Sequence, residues 1–408
     1  MKLLSTPASP WHAPEQYWQQ LSEATAALDT PYGVLSLDAL SHNAADLVRR
    51  ASGLPIRVAS KSIRVREVMD AVLALDDYRG VLAYTLAEAL WLAGSIDDVV
   101  VGYPSVDRAA IAALGTSPGL AERVTIMIDS VEHLDFVDSV LSPQHRETIR
   151  VCIDVDASWH SPLLGHVGAH RSPVHSAAQA RTLASTVVDR DGFTLVGVMA
   201  YEAQIAGVGN RPPGKPLYGR VLDVVHSASA KELQERRGEI VASVREIVEL
   251  EFVNGGGTGS LESTAADASV TEVAAGSGLF GPHLFDQYSH FTPAPAAAFA
   301  LSVDRKFSPQ IATVHGGGWI ASGDPTPDRM PQPTWPAGLK YLPREGAGEV
   351  QSPLTGPAAE SLEIGDRVWF RHTKAGELSE HLNEFAVVAD GRIIETVPTY
   401  RGEGKAFL

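Results

Sequence analysis

The chain has 408 residues, 44% of them hydrophobic and 20% charged, enough apolar material for a sizeable core, so wholesale disorder is excluded. Lys and Arg total 33 against 49 Asp and Glu, a formal charge of −16. Such a surface repels phosphate backbones and anionic lipid, which removes nucleic acid and the membrane surface from the first assignments.

The N-terminal segment lacks the apolar core of a signal peptide, and no apolar run approaches the roughly 18 residues of a membrane span. A soluble, cytoplasmic protein is expected. A helix is predicted over 14–28, in a segment (1–29) expected to pack on a later β domain. Eight short apolar runs follow, at 56–60, 80–85, 97–102, 123–129, 150–156, 194–201, 252–257 and 272–277. Helical patterns at 64–75, 86–93, 131–141, 176–188 and 219–250 fall between them. This alternation predicts a parallel sheet with crossover helices, and eight units in a span of about 250 residues predict a (β/α)8 TIM-type barrel, placed at 30–290. The single cysteine, Cys152, lies inside the fifth run and reads as a small buried hydrophobe, in keeping with a reducing compartment.

After Gly278 the texture changes. Residues 291–408 are rich in Pro and Gly, with strand-like runs at 310–314, 367–370 and 384–388, and predict a C-terminal mainly-β domain. The segment 323–336, with prolines at 325, 327, 331, 333 and 336, is expected to be an extended loop.

Barrel active sites gather at the carboxyl ends of the strands, and the loops after strands seven and eight often hold phosphate. The seventh run is followed by Asn254-Gly-Gly-Gly-Thr-Gly-Ser260 and the eighth by Gly276-Ser-Gly278. Glycine lets backbone N–H groups approach an anion closely. Lys61 follows the first run and should project at the same mouth, where desolvation would favour the neutral amine that imine formation needs. A phosphate cup opposite a lysine suits pyridoxal 5'-phosphate. A dinucleotide site ranks low, because glycines at 255, 256, 257 and 259 do not match Gly-X-Gly-X-X-Gly.

Over roughly residues 30–405 the sequence resembles the fold-type III pyridoxal phosphate enzymes, and among them the D-threonine aldolase and D-serine dehydratase branch. The likeness rests on Ala59-Ser-Lys-Ser62, Ala83-Tyr-Thr-Leu-Ala-Glu88, His170-Arg-Ser-Pro-Val174, Gly197-Val-Met-Ala-Tyr-Glu202, Gly255-Gly-Gly-Thr-Gly259 and Glu272-Val-Ala-Ala-Gly-Ser277. It implies that Lys61 carries the cofactor as an imine and that Gly256, Gly257, Thr258, Gly276 and Ser277 hold the phosphate. Arg171 would face the pyridine nitrogen, and Tyr201 would lie beside the cofactor as a further catalytic residue. The implied reaction is that of a lyase on a β-hydroxy-D-amino acid, by retro-aldol cleavage or dehydration, with an amino acid and an aldehyde as small-molecule partners. A homodimer with active sites at the interface is implied as well. The alternatives are an amino acid racemase, for which no second acid/base is identified, and a non-catalytic cofactor carrier.

One departure bears on the chemistry. Metal-dependent members carry His-X-Cys or His-X-Asp shortly after a Gly-Asp-Arg-Val segment. Here Gly365-Asp-Arg-Val368 leads to Lys374 and Gly376 at those places, so the usual divalent-metal pair is missing. Two alternatives stay open: His372, Glu377 or His381 form an altered metal site, or a Lys374 ammonium instead replaces the cation. His315, before Gly316-Gly-Gly318, is a candidate acid or base. His160, His166 and His170 cluster in sequence, but Pro162, Gly165 and Gly168 oppose the helix on which His166 and His170 would share a ligand.

Overall fold

The computed structural model describes residues 1–324 and 326–408. Two compact units are present. One comprises Leu47–Lys61, Leu73–Gly276 and Phe407–Leu408, the other Met1–Asp46, Ser62–Val72 and Ser277–Ala406.

The first unit is a closed barrel of eight parallel strands: Ile56–Ala59, Tyr78–Ala83, Val99–Val101, Val124–Ile128, Ile149–Asp154, Phe193–Ala200, Phe252–Gly255 and Glu272–Ala275. Each lies within, or begins within two residues of, one of the eight apolar runs. Closure places Val273 opposite Ile56, so every strand has two neighbours and no edge is left. The strands are buried almost throughout because helices cover the outside, which is why they appear in sequence as continuous apolar runs rather than as alternations. Inside the barrel Val100, Met127, Cys152, Val196, Met199 and Phe252 form one cluster. Cys152 is fully buried in it, and that burial pushes its thiol pKa well up, as befits a packing residue. Gly197 makes room for Phe252, since a Cβ at 197 would stand 2.3 Å from the Phe252 ring.

Local signals account for the helix starts. Ser176 and Gln179 form a reciprocal capping box on the helix Ala177–Val188. Thr85 accepts from Glu88 N at the start of Leu86–Leu92. The long helix Pro216–Arg245 opens on proline and buries Leu222, Leu233, Arg237, Ile240, Val241 and Val244 along one stripe.

The second unit holds a nine-stranded sheet around the bent strand Ala297–Ser308. Tyr32–Ser36 lies in this sheet, antiparallel to Ala297–Ser308 and parallel to Glu384–Ala389. The stretch assigned to the barrel from residue 30 therefore starts outside it, because a closed eight-stranded barrel offers no edge for a ninth strand. The helix Pro14–Ala24 buries Tyr17, Trp18 and Leu21 against Val34, Ala298 and Trp369. The expected loop 323–336 instead contains a helical turn, Pro327–Arg329, and a strand, Gln332–Trp335, paired with Arg367–Arg371. Its Pro325 lies outside the described residues.

Candidate active site

Lys61 sits on the turn that directly follows the first barrel strand, where Ser60 Oγ donates to Leu82 O at 3.2 Å. Its Nζ donates to the Tyr103 hydroxyl at 3.2 Å. Tyr103 follows the third strand, and Tyr201 follows the sixth. The Arg171 guanidinium lies 5.4 Å from the Tyr103 ring centre and 5.0 Å from that of Tyr201. Asp154, the last residue of the fifth strand, lines a cavity of about 10 Å³ with Asp156, Ser158, Arg171 and Tyr201. That volume is room for roughly one water molecule. Lys61, Tyr103, Asp154 and Tyr201 end or follow barrel strands, and the loop after the fifth strand brings in Arg171, so one amine, two phenols, a guanidinium and carboxylates meet at the barrel mouth.

Their electrostatics diverge. Burial favours the neutral Tyr103 phenol, but the charges of Lys61 and Arg171 and the hydrogen bond from Lys61 outweigh it, and its pKa falls below the ordinary tyrosine value. Desolvation dominates at Tyr201 and pushes it up to about 12, with Arg171 opposing. Desolvation also pushes Asp154 up to about 7, helped by Asp129 and Asp156 and opposed by Arg171.

The glycine loop after the seventh strand is tied to its surroundings. Gly256 adopts φ +81, a conformation that glycine reaches without cost. Its N–H donates to Glu202 Oε2 at 3.1 Å, and Glu202 also accepts from Ser260 Oγ at 3.3 Å, from Thr264 Oγ1 and from Arg237 Nη2 at 3.1 Å. Arg50 Nη2 donates to Thr258 O at 2.6 Å. A Cβ at Gly257 would come 3.0 Å from Tyr201 Cε2, and one at Gly276 would come 2.3 Å from Ala59 O. These two glycines hold the phosphate-loop candidates against Tyr201 and against the strand end that carries Lys61.

The remaining candidates belong to the sheet unit. Ser277 opens a short helical turn, Ser277–Phe280. His315 is 62% exposed and lies 3.4 Å from Asp304, a surface ion-pair geometry. Lys374 is half-buried in a loop whose N–H groups at 374 and 375 donate to the two Glu377 carboxylate oxygens at 2.8 and 2.9 Å. His372 is fully enclosed, and burial lowers it to about 4. His381 stacks on Trp319 at 5.0 Å. Among the described residues, His372, Glu377 and His381 do not form a cluster of metal-ligand atoms; Asp156, His160 and His175 do.

Residues 35–283 match the family model described as alanine racemase, N-terminal domain. The chain belongs to this family. It is 26% identical over 264 residues to a D-threonine aldolase of an Arthrobacter species, covering 64% of this chain and 63% of the relative. It is 25% identical over 256 residues to a 3-hydroxy-D-aspartate aldolase of Paracoccus denitrificans, covering 62% and 60%. The aligned segment thus spans less than two thirds of either relative. Among solved structures the fold is similar to D-threonine aldolase from Filomicrobium marinum, with TM-score 0.76 and 20% identity over 92% of this chain and 96% of that one. It is also similar to D-threo-3-hydroxyaspartate dehydratase from Delftia sp. HT23, with TM-score 0.71 and 19% identity over 91% and 97%.

The family implies pyridoxal phosphate, and the residues present fit it: a primary amine at a strand end, and beside it a glycine cradle that a Cβ would fill at 257 and 276. Three participants escaped the sequence reading. Tyr103 and Asp154 end or follow strands at the mouth, a position that was itself the available signal. Glu202 stands inside a quoted motif, but its four-way bonding depends on residues 237 to 264 folding back onto it.

Proposed function

We propose that the protein is a pyridoxal phosphate-dependent lyase acting on a β-hydroxy-D-amino acid, by retro-aldol cleavage and its reverse or by loss of water. The observation that carries this reading is the Lys61 amine bonded to Tyr103 and flanked by Arg171 at the barrel mouth, in a chain whose relatives are named for this chemistry. When bound, the cofactor supplies an electron sink for the bond-breaking step. Lys61 would hold it covalently, and Gly256, Gly257, Thr258, Gly276 and Ser277 would hold its phosphate. Arg171 would face the ring nitrogen, where its fixed positive charge would keep that nitrogen unprotonated and suit reactions of modest carbanion demand. Tyr201 would pack beside the ring. Tyr103 exchanges a proton with Lys61 across their hydrogen bond.

Lys374 supplies the cation that orients the β-hydroxyl where the resemblance expects a metal-binding histidine, and His315 is the further acid/base candidate. A cytoplasmic homodimer, with active sites completed at the subunit interface, belongs to the same proposal. Racemisation needs a second acid/base on the face opposite Lys61, a role for which no residue is identified. The test is to supply the cofactor-loaded enzyme with D-threonine, D-3-hydroxyaspartate and D-serine. Glycine with an aldehyde, or a keto acid with ammonia, supports the reading; racemisation of D-alanine with no turnover of the three overturns it.

A further inference from the structure

The loop between the fifth barrel strand and the helix Ala177–Val188 contains five residues that the proposed reaction does not use. Asp156 follows the strand. A two-stranded hairpin, Trp159–Ser161 with Gly165–Val167, then places His160 directly opposite His166, so the two side chains share one face. His160 Nε2 and His166 Nδ1 stand 3.2 Å apart. The chain returns through His170, stacked on His166 at 3.9 Å, to His175, stacked on His160 at 4.2 Å. The glycines and proline that rule out a helix here build the hairpin instead.

Three of these residues hold ligand atoms close to one another. His175 Nδ1 lies 3.0 Å and His160 Nε2 3.8 Å from Asp156 Oδ2, and all three atoms fall within 4.8 Å of one another. Ligands at about 2.0–2.1 Å around a tetrahedral ion are separated by roughly 3.3 Å, so shifts of up to about 1.5 Å bring the atoms into range, together with rotation of the two imidazoles out of their stack so that both lone pairs meet the ion. The backbone beneath them is already held. Arg236, on the long helix, donates from Nη1 to Asp156 O at 2.6 Å and to His175 O at 3.4 Å, and from Nη2 to Ser158 O at 2.8 Å. Ser158 fixes the carboxylate, donating N–H to Asp156 Oδ1 at 2.9 Å and O–H to Oδ2 at 2.7 Å. Outer contacts of this kind orient metal ligands and lower the cost of ordering them.

We infer that Asp156, His160 and His175 form a binding site for one divalent transition ion of the zinc class, with His166 beside its fourth position. Two imidazoles and one carboxylate suit such an ion and not the all-oxygen preference of calcium or magnesium. The ion would staple the hairpin to the strand end and thereby restrain the segment 160–175, which carries Arg171.

The experiment uses the full-length, untagged, cofactor-loaded protein, stripped with chelator and titrated with zinc chloride by calorimetry, with metal content measured after dialysis. One zinc per chain and a rise in Tm are expected, with at least a tenfold loss of affinity in His160→Gln and in His175→Gln. His145→Gln, on a different loop, should bind zinc as the unmodified chain does. Circular dichroism that matches the unmodified protein keeps misfolding apart from ligand loss. The inference is overturned if no zinc is retained, or if the double variant His160→Gln/His175→Gln binds it within twofold of the unmodified chain.

Discussion

The barrel mouth and the loop at 372–377 present polar side chains by different means. At the mouth each side chain stands at the end of a strand whose register is set by two neighbours, so Lys61, Tyr103, Asp154 and Tyr201 are placed by the barrel itself. The loop at 372–377 is held by hydrogen bonds to its own turn and to neighbouring loops: Glu377 accepts the N–H groups at 374 and 375, the carbonyls of His372 and Thr373 accept from His283 and Leu284 N–H, and Lys374 rides on it. A rigid scaffold makes function legible from element ends; a capped turn can be rebuilt residue by residue while its strand stays in place. The resemblance implies that the chain departs from the metal-binding pattern at this loop.

Substitutions at the mouth should have the larger effects. Lys61→Ala is expected to abolish the visible imine absorbance and all detectable turnover, with the far-UV circular dichroism unchanged, because the barrel needs no charge on that turn. Full turnover in this variant would remove the cofactor from the proposal. Gly276→Ala would force a Cβ to within 2.3 Å of Ala59 O. It should lower stability by about 1–3 kcal/mol in urea unfolding and weaken cofactor retention, whereas Gly53→Ala, with open space around it though at positive φ, should retain cofactor normally.

Asp154 tests the electrostatics of the mouth. Its pKa is raised from 3.8 to about 7, so between those values the native state binds more protons than the unfolded chain, and this group's contribution is full below its unfolded pKa and lost as pH rises to 7. Asp154→Asn should flatten that decline, by on the order of a few kcal/mol at most, as read from urea midpoints across the pH range. An unchanged slope would show that Asp154 is compensated in the native state. Arg171→Glu should protonate the cofactor's ring nitrogen and add transamination side products, detected as the aminated (pyridoxamine) form of the cofactor and keto acid formed without release of ammonia.

The smallest effect is expected at the loop. Lys374→Met should lower turnover while leaving cofactor absorbance and zinc uptake intact. In a His160→Gln background, loss of activity on chelation that manganese restores would exclude Lys374 as the substitute cation.

Much of the fold was legible in sequence. Buried parallel strands appear as apolar runs whatever surrounds them, and both Lys61 and the glycine loops were locatable because they directly follow such runs. The sheet that claims Tyr32–Ser36 was not legible, since a short apolar run does not say which edge is free to receive it. Nor were the contacts of Glu202 and the meeting of Asp156, His160 and His175. Local periodicity and strand ends are properties of neighbouring residues and can be read along the chain. The hydrogen bonds from Arg236 to Asp156 and His175 join residues up to 80 positions apart, and such separations become contact distances only when barrel closure and helix packing bring them together.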